Sequence, residues 1–286
     1  MKPSGARGAG VSPRAFVART ALVCVSCLSC ACAAPLMKLP SGPGTPAADA
    51  PDALAQATAA CRGIRALTAE IAISGSAGGR RVRGRLSTGV SAPASVRLEA
   101  VAPFGPPVFI FAASDNNDAT LLLPRDNRVL EHGRPDQVLD AVAGVPLDAA
   151  DLYATLTGCA PAGSPSQGRD LGTDWRVVSV SAGPVNYELY LHRDRLALPW
   201  KLVATTRESA TDGVVRVEYR NFQNGLPRAI HMKGLEKEAF DLTLALSQVE
   251  TNVPLGSDVF RLEIPPSADP ITVDELRRAR LGIRKN

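Results

Sequence analysis

The chain has 286 residues, 45% hydrophobic and 21% charged, with 5% aromatic and a formal net charge of +4. That balance fits a globular protein with a Val, Leu, Ile and Ala core, in one large domain or two small ones. The positive charge belongs to the N-terminus: Lys2, Arg7, Arg14 and Arg19 stand in residues 1–31 without an acid, and removing those four from 32 leaves 28 basic against 28 acidic residues. The remainder lacks the basic excess that a nucleic-acid partner requires.

Residues 1–31 have the layout of a secretory signal: a basic start, the short apolar run "ALVCVSCL" and then the small residues of "SCACAAP". The apolar run is too short to span a bilayer by itself, against a competing reading as an uncleaved anchor. Cys24, Cys27, Cys30 and Cys32 cluster in or just after it. The cluster resembles a bacterial lipoprotein signal, in which one cysteine receives lipid. Cys32, after Ala31, is favoured for that role, with Cys30 as the alternative; no histidine is near to make the cluster a metal site. Residues 32–50 are rich in Pro, Gly, Ala and Ser and read as a flexible tether. A single domain then occupies 51–286. Its two cysteines, Cys61 and Cys159, sit where an exported protein keeps disulfides. They are read as a bridge, with two buried free thiols as the alternative.

A helix is expected over 51–66, with Pro51 and Asp52 suited to its first turn. The period then changes to two. Leu67, Ala69, Ile71 and Ile73 share one face of a strand. In "RRVRGRLS", Val82, Gly84 and Leu86 point in and Arg81, Arg83 and Arg85 point out; "ASVRLEAVA" alternates again. Strands with one dry face are typical of antiparallel sheet. "VAPFGPP" follows, a turn stiffened by Pro103, Pro106 and Pro107 and opened by Gly105. Phe104 stands at its tip, either exposed or folded back on its own sheet. "VFIFAA", "ATLLLP" and "RVLEH" continue the strands.

Two helices interrupt them, over 135–144 and 146–158, each ending at a glycine. Residues 160–174 read as a polar loop. Seven more runs, from "WRVVSVS" to "VFRLEIP", read as strands, and "ITVDELRRARLGI" as a terminal helix. The fold class is mainly β: a half-open, curled antiparallel barrel of roughly a dozen strands, covered by about three helices.

Nothing in the sequence points to catalysis. His132, His192 and His231 do not pair at metal spacing, and His192 and His231 read as solvent-facing strand ends. No phosphate loop, nucleophile elbow or Cys-x-x-Cys lies in the body of the chain. The expectation is a protein that is not an enzyme and uses no cofactor.

The order of features resembles the LolA/LolB lipoprotein-localisation superfamily, and within it LolB. The resemblance rests on "VAPFGPPVFIF" and "VLDAVAGVPLDAADLYATLTG", and covers about 60–160. Ala102-Pro103-Phe104-Gly105 stands where LolB has an Asn-Pro-Leu-Gly turn, and Gly144-Val145-Pro146-Leu147 where it has Gly-Met/Val-Pro. "NVPLGSDVFRLEIPPSADPI" is similar to the closing strand of LolA-like proteins. The resemblance implies a half-open barrel whose interior receives acyl chains of lipoproteins or lipids. It also implies an outer-membrane, lipid-anchored protein on the periplasmic face, supplied by a LolA-like periplasmic donor. Pro103, Phe104 and Gly105 would form the membrane-inserting turn. Ile71, Ile73, Leu98, Val108, Ile110, Leu121 and Leu123 would line the cavity from the sheet. Val138, Leu139, Val142, Leu152 and Leu156 would line it from the helices; packing of the same residues on one another as core is the competing reading.

Overall fold

A computed structural model describes residues 35–195, 198–236 and 240–282. The expected signal and the cysteines of residues 24–32 lie outside the described residues. In chain order the elements are β1 (Thr45–Pro46), α1 (Ala50–Ala57), β2 (Ala66–Ala77), β3 (Arg80–Ser91), β4 (Ser95–Val101), β5 (Ile110–Ala113), β6 (Ala119–Leu123) and β7 (Arg128–Gly133). Then come α2 (Pro135–Ala143), α3 (Ala149–Thr157), β8 (Ser164–Asp170), β9 (Trp175–Ala182), β10 (Val185–His192), β11 (Lys201–Ser209) and β12 (Gly213–Arg220). Last are β13 (Ala229–Gly234), β14 (Phe240–Thr251), β15 (Asp269–Pro270) and α4 (Val273–Gly282).

The strands form one sheet in the order β1-β8-β9-β10-β11-β12-β13-β14-β2-β3-β4-β5-β6-β7-β15. It is two meanders joined where β14 pairs with β2, and it does not close. Every pairing is antiparallel except β15 with β7. Strong twist curls a sheet this wide, and its dry face collects a single large core from α1, α2, α3 and both meanders. The alternation read in β2 holds: Leu67, Ala69 and Ile71 are buried and Ile73 is half-buried. Arg81, Arg83 and Arg85 are exposed.

The helices over the dry face start and stop on local chemistry. Pro135 opens α2, which ends at Gly144 in the left-handed region. Asp148 caps α3 by accepting the Asp151 N–H at 2.8 Å. The structure joins Cys61 to Cys159, tying the turn after α1 to the chain just beyond α3, with 5.7 Å between their Cα atoms. Among the described residues no helix is long and apolar enough to cross a membrane.

Several elements differ from expectation. The helix expected over 51–66 ends at Ala57 and continues as a 3-10 turn, Ala59–Gly63. The polar loop over 160–174 contains β8, whose backbone pairs with both β9 and β1 in spite of its Ser, Pro and Gly content. "VFRLEIP" forms no strand: Val259 and Phe260 end a 3-10 turn, Ser257–Phe260, and the rest is irregular, so the closing strand reduces to the two residues of β15.

The described part of the expected tether, 35–50, is docked. Thr45 and Pro46 pair with Asp170 and Arg169, and Ala47 and Ala50 are buried. Gly168 permits this: a Cβ there would lie 2.0 Å from the Ala50 Cβ. Further upstream the segment crosses the other face of the sheet. The Met37 N–H donates to Glu218 at 2.8 Å, the Met37 carbonyl accepts from Arg216, and Leu39 packs near Val177, Tyr190 and Ala204. Glu218, fully buried between Arg216 and Arg220, is the polar anchor of this strap.

Candidate functional site

The loop after β4 carries the most exposed large apolar side chain among the described residues. Phe104 is 90% exposed, flanked by Val101 at 43% and Val108 at 47%. Gly105 has φ 77°, with open space where a Cβ would be. Conformation rather than crowding calls for glycine there. Arg125, from the turn between β6 and β7, donates to the Phe104 carbonyl at 3.2 Å and to the Pro106 carbonyl at 3.3 Å. Three prolines and a clamping guanidinium therefore hold the ring away from its own sheet.

Ile71, Leu98, Leu121, Val138, Leu139, Leu152 and Leu156 come together as buried core, with Ile73, Leu123 and Val142 packed half-buried against them. Two residues expected inside are not. Ile110 pairs with Glu99, whereas Phe111 pairs with Leu98 and is fully buried. Val108 lies at the exposed loop. In "VFIFAA" both faces are apolar, so the sequence does not fix which parity points inward, and a shift of one residue exchanges every side chain. Phe109 and Phe111 take the inward places.

Between α3 and the sheet lies a void of about 20 Å³, lined by Leu147, Asp151, Thr155, Tyr187, Thr205 and Arg207 among others. It has room for about one water and not for a hydrocarbon chain. Its wall is polar. Tyr187 donates to Asp151 Oδ1 at 2.7 Å, and Arg207 reaches Asp151 Oδ2 at 2.8 Å and Asp212 Oδ2 at 3.2 Å. Burial, with Asp148 adding to it, raises the Asp151 carboxyl above its ordinary range; Arg207 and Tyr187 pull the other way. Burial works against the Arg207 charge as well, but Asp151, Tyr187 and Asp212 outweigh it and hold the guanidinium protonated. Burial and Asp151 push the Tyr187 hydroxyl far up, so it remains a donor.

Sequence reasoning missed this cluster. Its signal was present: Thr205, Arg207 and Ser209 are polar residues at alternate positions, opposite Val217 and Val215 on β12. His231 is also not where it was expected. It is buried, with Nε2 2.7 Å from Asp241 Oδ1. Among the described residues no group of His, Cys, Asp and Glu could hold a metal ion.

No protein-family model and no curated protein matches the sequence. A LolA superfamily protein from Nitrosomonas europaea superposes with a TM-score of 0.55 at 12% identity, over 74% of this chain and 97% of that one. The chain has the LolA-like fold. A DUF1329 family protein from Desulfovibrio piger ATCC 29098 is similar as well, with a TM-score of 0.51 at 10% identity over 76% of this chain and 98% of that one. Neither likeness singles out LolB. At these identities what is shared is the LolA-like fold, and function has to be argued from the residues.

Proposed function

We propose that this protein is a lipid-anchored lipoprotein at the periplasmic face of a bacterial outer membrane, which binds acyl chains of lipoproteins or lipids and helps deliver them to the membrane. The observation that carries the reading is the exposure of Phe104 on a loop built to keep it exposed. A large ring held in water has a use if its partner is lipid: burying one Phe gains roughly 1.5–3 kcal/mol. That biases an encounter and does not anchor a protein, so the anchor is a lipidated Cys32, or Cys30. A LolA-like periplasmic donor would supply the cargo.

The burial of the helix residues against the sheet sets the mechanism. An acyl chain enters only if α2 and α3 part from the sheet, the chain replacing their apolar contacts. At about 0.8 kcal/mol per CH₂, a long chain gains on the order of 10 kcal/mol on burial. Reclosure of the helices onto the sheet restores those contacts and favours release. The deciding experiment is a reconstituted transfer assay from a loaded donor to vesicles with Phe104→Glu. Transfer is lost in the variant while its folding is unchanged; transfer at the parent rate would remove the loop from the mechanism.

A second reading is favoured by the burial of Val138, Leu139, Leu152 and Leu156 against the sheet: a lipid-anchored scaffold of the cell envelope that docks another protein and never takes up an acyl chain. It accounts for the core without an opening step, but gives the Phe104 loop a protein partner instead of lipid.

A further inference from the structure

The alternation in "RRVRGRLS" leaves Arg81, Arg83 and Arg85 exposed on β3, with Arg80 exposed at its start, and acyl-chain delivery makes no use of them. The ion pairs among the described residues involve none of the four. Their neighbours on β2 are small and uncharged: Ser76 opposite Arg81, Ser74 opposite Arg83, Ala72 opposite Arg85. Guanidinium groups on alternate residues stand about 7 Å apart, and like charges so placed repel. Nothing described in the fold offsets that repulsion.

The row runs into the apolar loop. Across the other edge of β3, Arg85 is paired with Val101, and directly opposed residues share a face. Beyond Val101 rise Phe104 and Val108. Arg125 brings a fifth guanidinium, hydrogen-bonded to the loop's neutral carbonyls. The nearby acids are few: Glu99 pairs with Arg97 at 3.7 Å, Asp241 is held by His231 and Lys233, and Asp126 follows Arg125.

We propose that this end of the sheet docks on a membrane surface rich in anionic phospholipid, with the arginines against headgroup phosphates and Phe104, Val101 and Val108 in the acyl boundary. The proposal rests on the reading of Phe104 as a lipid contact and adds the class of lipid. Charge and apolar tip together select this occupant: an acidic protein would satisfy the arginines but leave a rigid, protruding ring without a complement. A basic residue at an anionic surface favours the docked state about fivefold, so three of them contribute on the order of 100-fold.

The test uses the full chain bearing Phe104→Trp, reconstituted in vesicles with brominated acyl chains, of phosphatidylcholine alone or mixed with phosphatidylglycerol. Emission of the parent, from Trp175 and Trp200, is subtracted. Bromine quenching of the new tryptophan is stronger in the anionic vesicles and falls at high salt. Arg81→Gln, Arg83→Gln and Arg85→Gln combined lower the docked-to-undocked ratio on the order of 100-fold, to the neutral-vesicle level. These arginines are solvent-exposed, so the fold survives their replacement. Equal quenching in both vesicles, insensitive to salt, overturns the proposal and leaves the lipid contact of Phe104 standing. Absence of quenching in either vesicle overturns both. Quenching that the triple variant leaves unchanged, while that variant loses an acidic protein partner, assigns the row to protein and overturns the proposal.

Discussion

Arg207 Nε lies 2.8 Å from Asp151 Oδ2, with both residues only 6% exposed, and this contact joins helix α3 to strand β11 across the dry face of the sheet. It is a close ion pair rather than an aligned hydrogen bond, since neither atom meets a partner in hydrogen-bond geometry. With the bond that Tyr187 donates to Asp151 Oδ1, the pair ties α3 to the sheet in a region otherwise held by apolar packing.

Removing one partner strands the other charge. Arg207→Met should cost about 3–5 kcal/mol, because Asp151 is left buried and unpaired. Combining it with Asp151→Leu should recover much of that loss, since two apolar side chains need no partner. Urea unfolding of the two single variants and the double variant measures the coupling.

The Cys61–Cys159 bridge spans 98 residues of sequence. The chain-entropy account assigns such a loop about 4–5 kcal/mol through the unfolded state. Unfolding in urea with and without a reducing agent should differ by about that amount. The Cys61→Ser and Cys159→Ser double variant should match the reduced protein and lose its sensitivity to reductant.

Phe104 and Phe111 are neighbours in sequence with opposite surroundings, one 90% exposed and the other fully buried. Phe104→Glu should leave stability within about 0.5 kcal/mol of the parent. Phe111→Ala should cost about 3–5 kcal/mol, because it opens a cavity beside Leu98 and Leu121. Chemical denaturation of both variants checks the contrast, and the exposed one alone is expected to affect lipid transfer.

Acid should weaken the fold through Asp212 and Asp241. Burial raises each carboxyl, but bonds from Thr211, Ser209 and Arg207 in one, and from His231 and Lys233 in the other, win and hold both below 3.8. A lowered folded value contributes stability that is present above the unfolded value and lost as pH falls through the folded one. Asp151 has the opposite sign: its raised value means that ionisation subtracts stability, a deficit lifted on acidification. Asp49 and Glu275 are lowered as well, so four lowered carboxyls against one raised predict a net loss beginning below about pH 4. Asp212→Asn and Asp241→Asn should each flatten that loss, and Asp151→Asn should steepen it, as read from urea midpoints across the acid range.

The strands with one wet face were legible because their alternation reports burial directly: Leu67, Ala69 and Ile71 in, Arg81, Arg83 and Arg85 out. The helix pair was legible from its proline start and glycine stops. Where both faces are apolar, as at Val108 to Phe111, the sequence carries no parity, and the inward residues were misassigned. Three further features depend on distant chain. Residues 35–39 cover the outer face over Glu218, so polar residues on a face that alternation marks as wet end up buried. His231 is buried on a strand for which alternation gave it to solvent. β8 joins the sheet through its backbone ladder, so the Pro and Gly in its sequence concealed it.

The most direct test of acyl-chain handling is native mass spectrometry of the full chain, in detergent, mixed with a lipoprotein bearing its acyl chains and with the same polypeptide without them. The account predicts a one-to-one complex with the acylated form alone, abolished when α3 is locked to the sheet by an engineered crosslink between α3 and β11. A complex that forms equally well without acyl chains, or that survives the locked lid, would contradict it and leave a scaffold whose interior never opens.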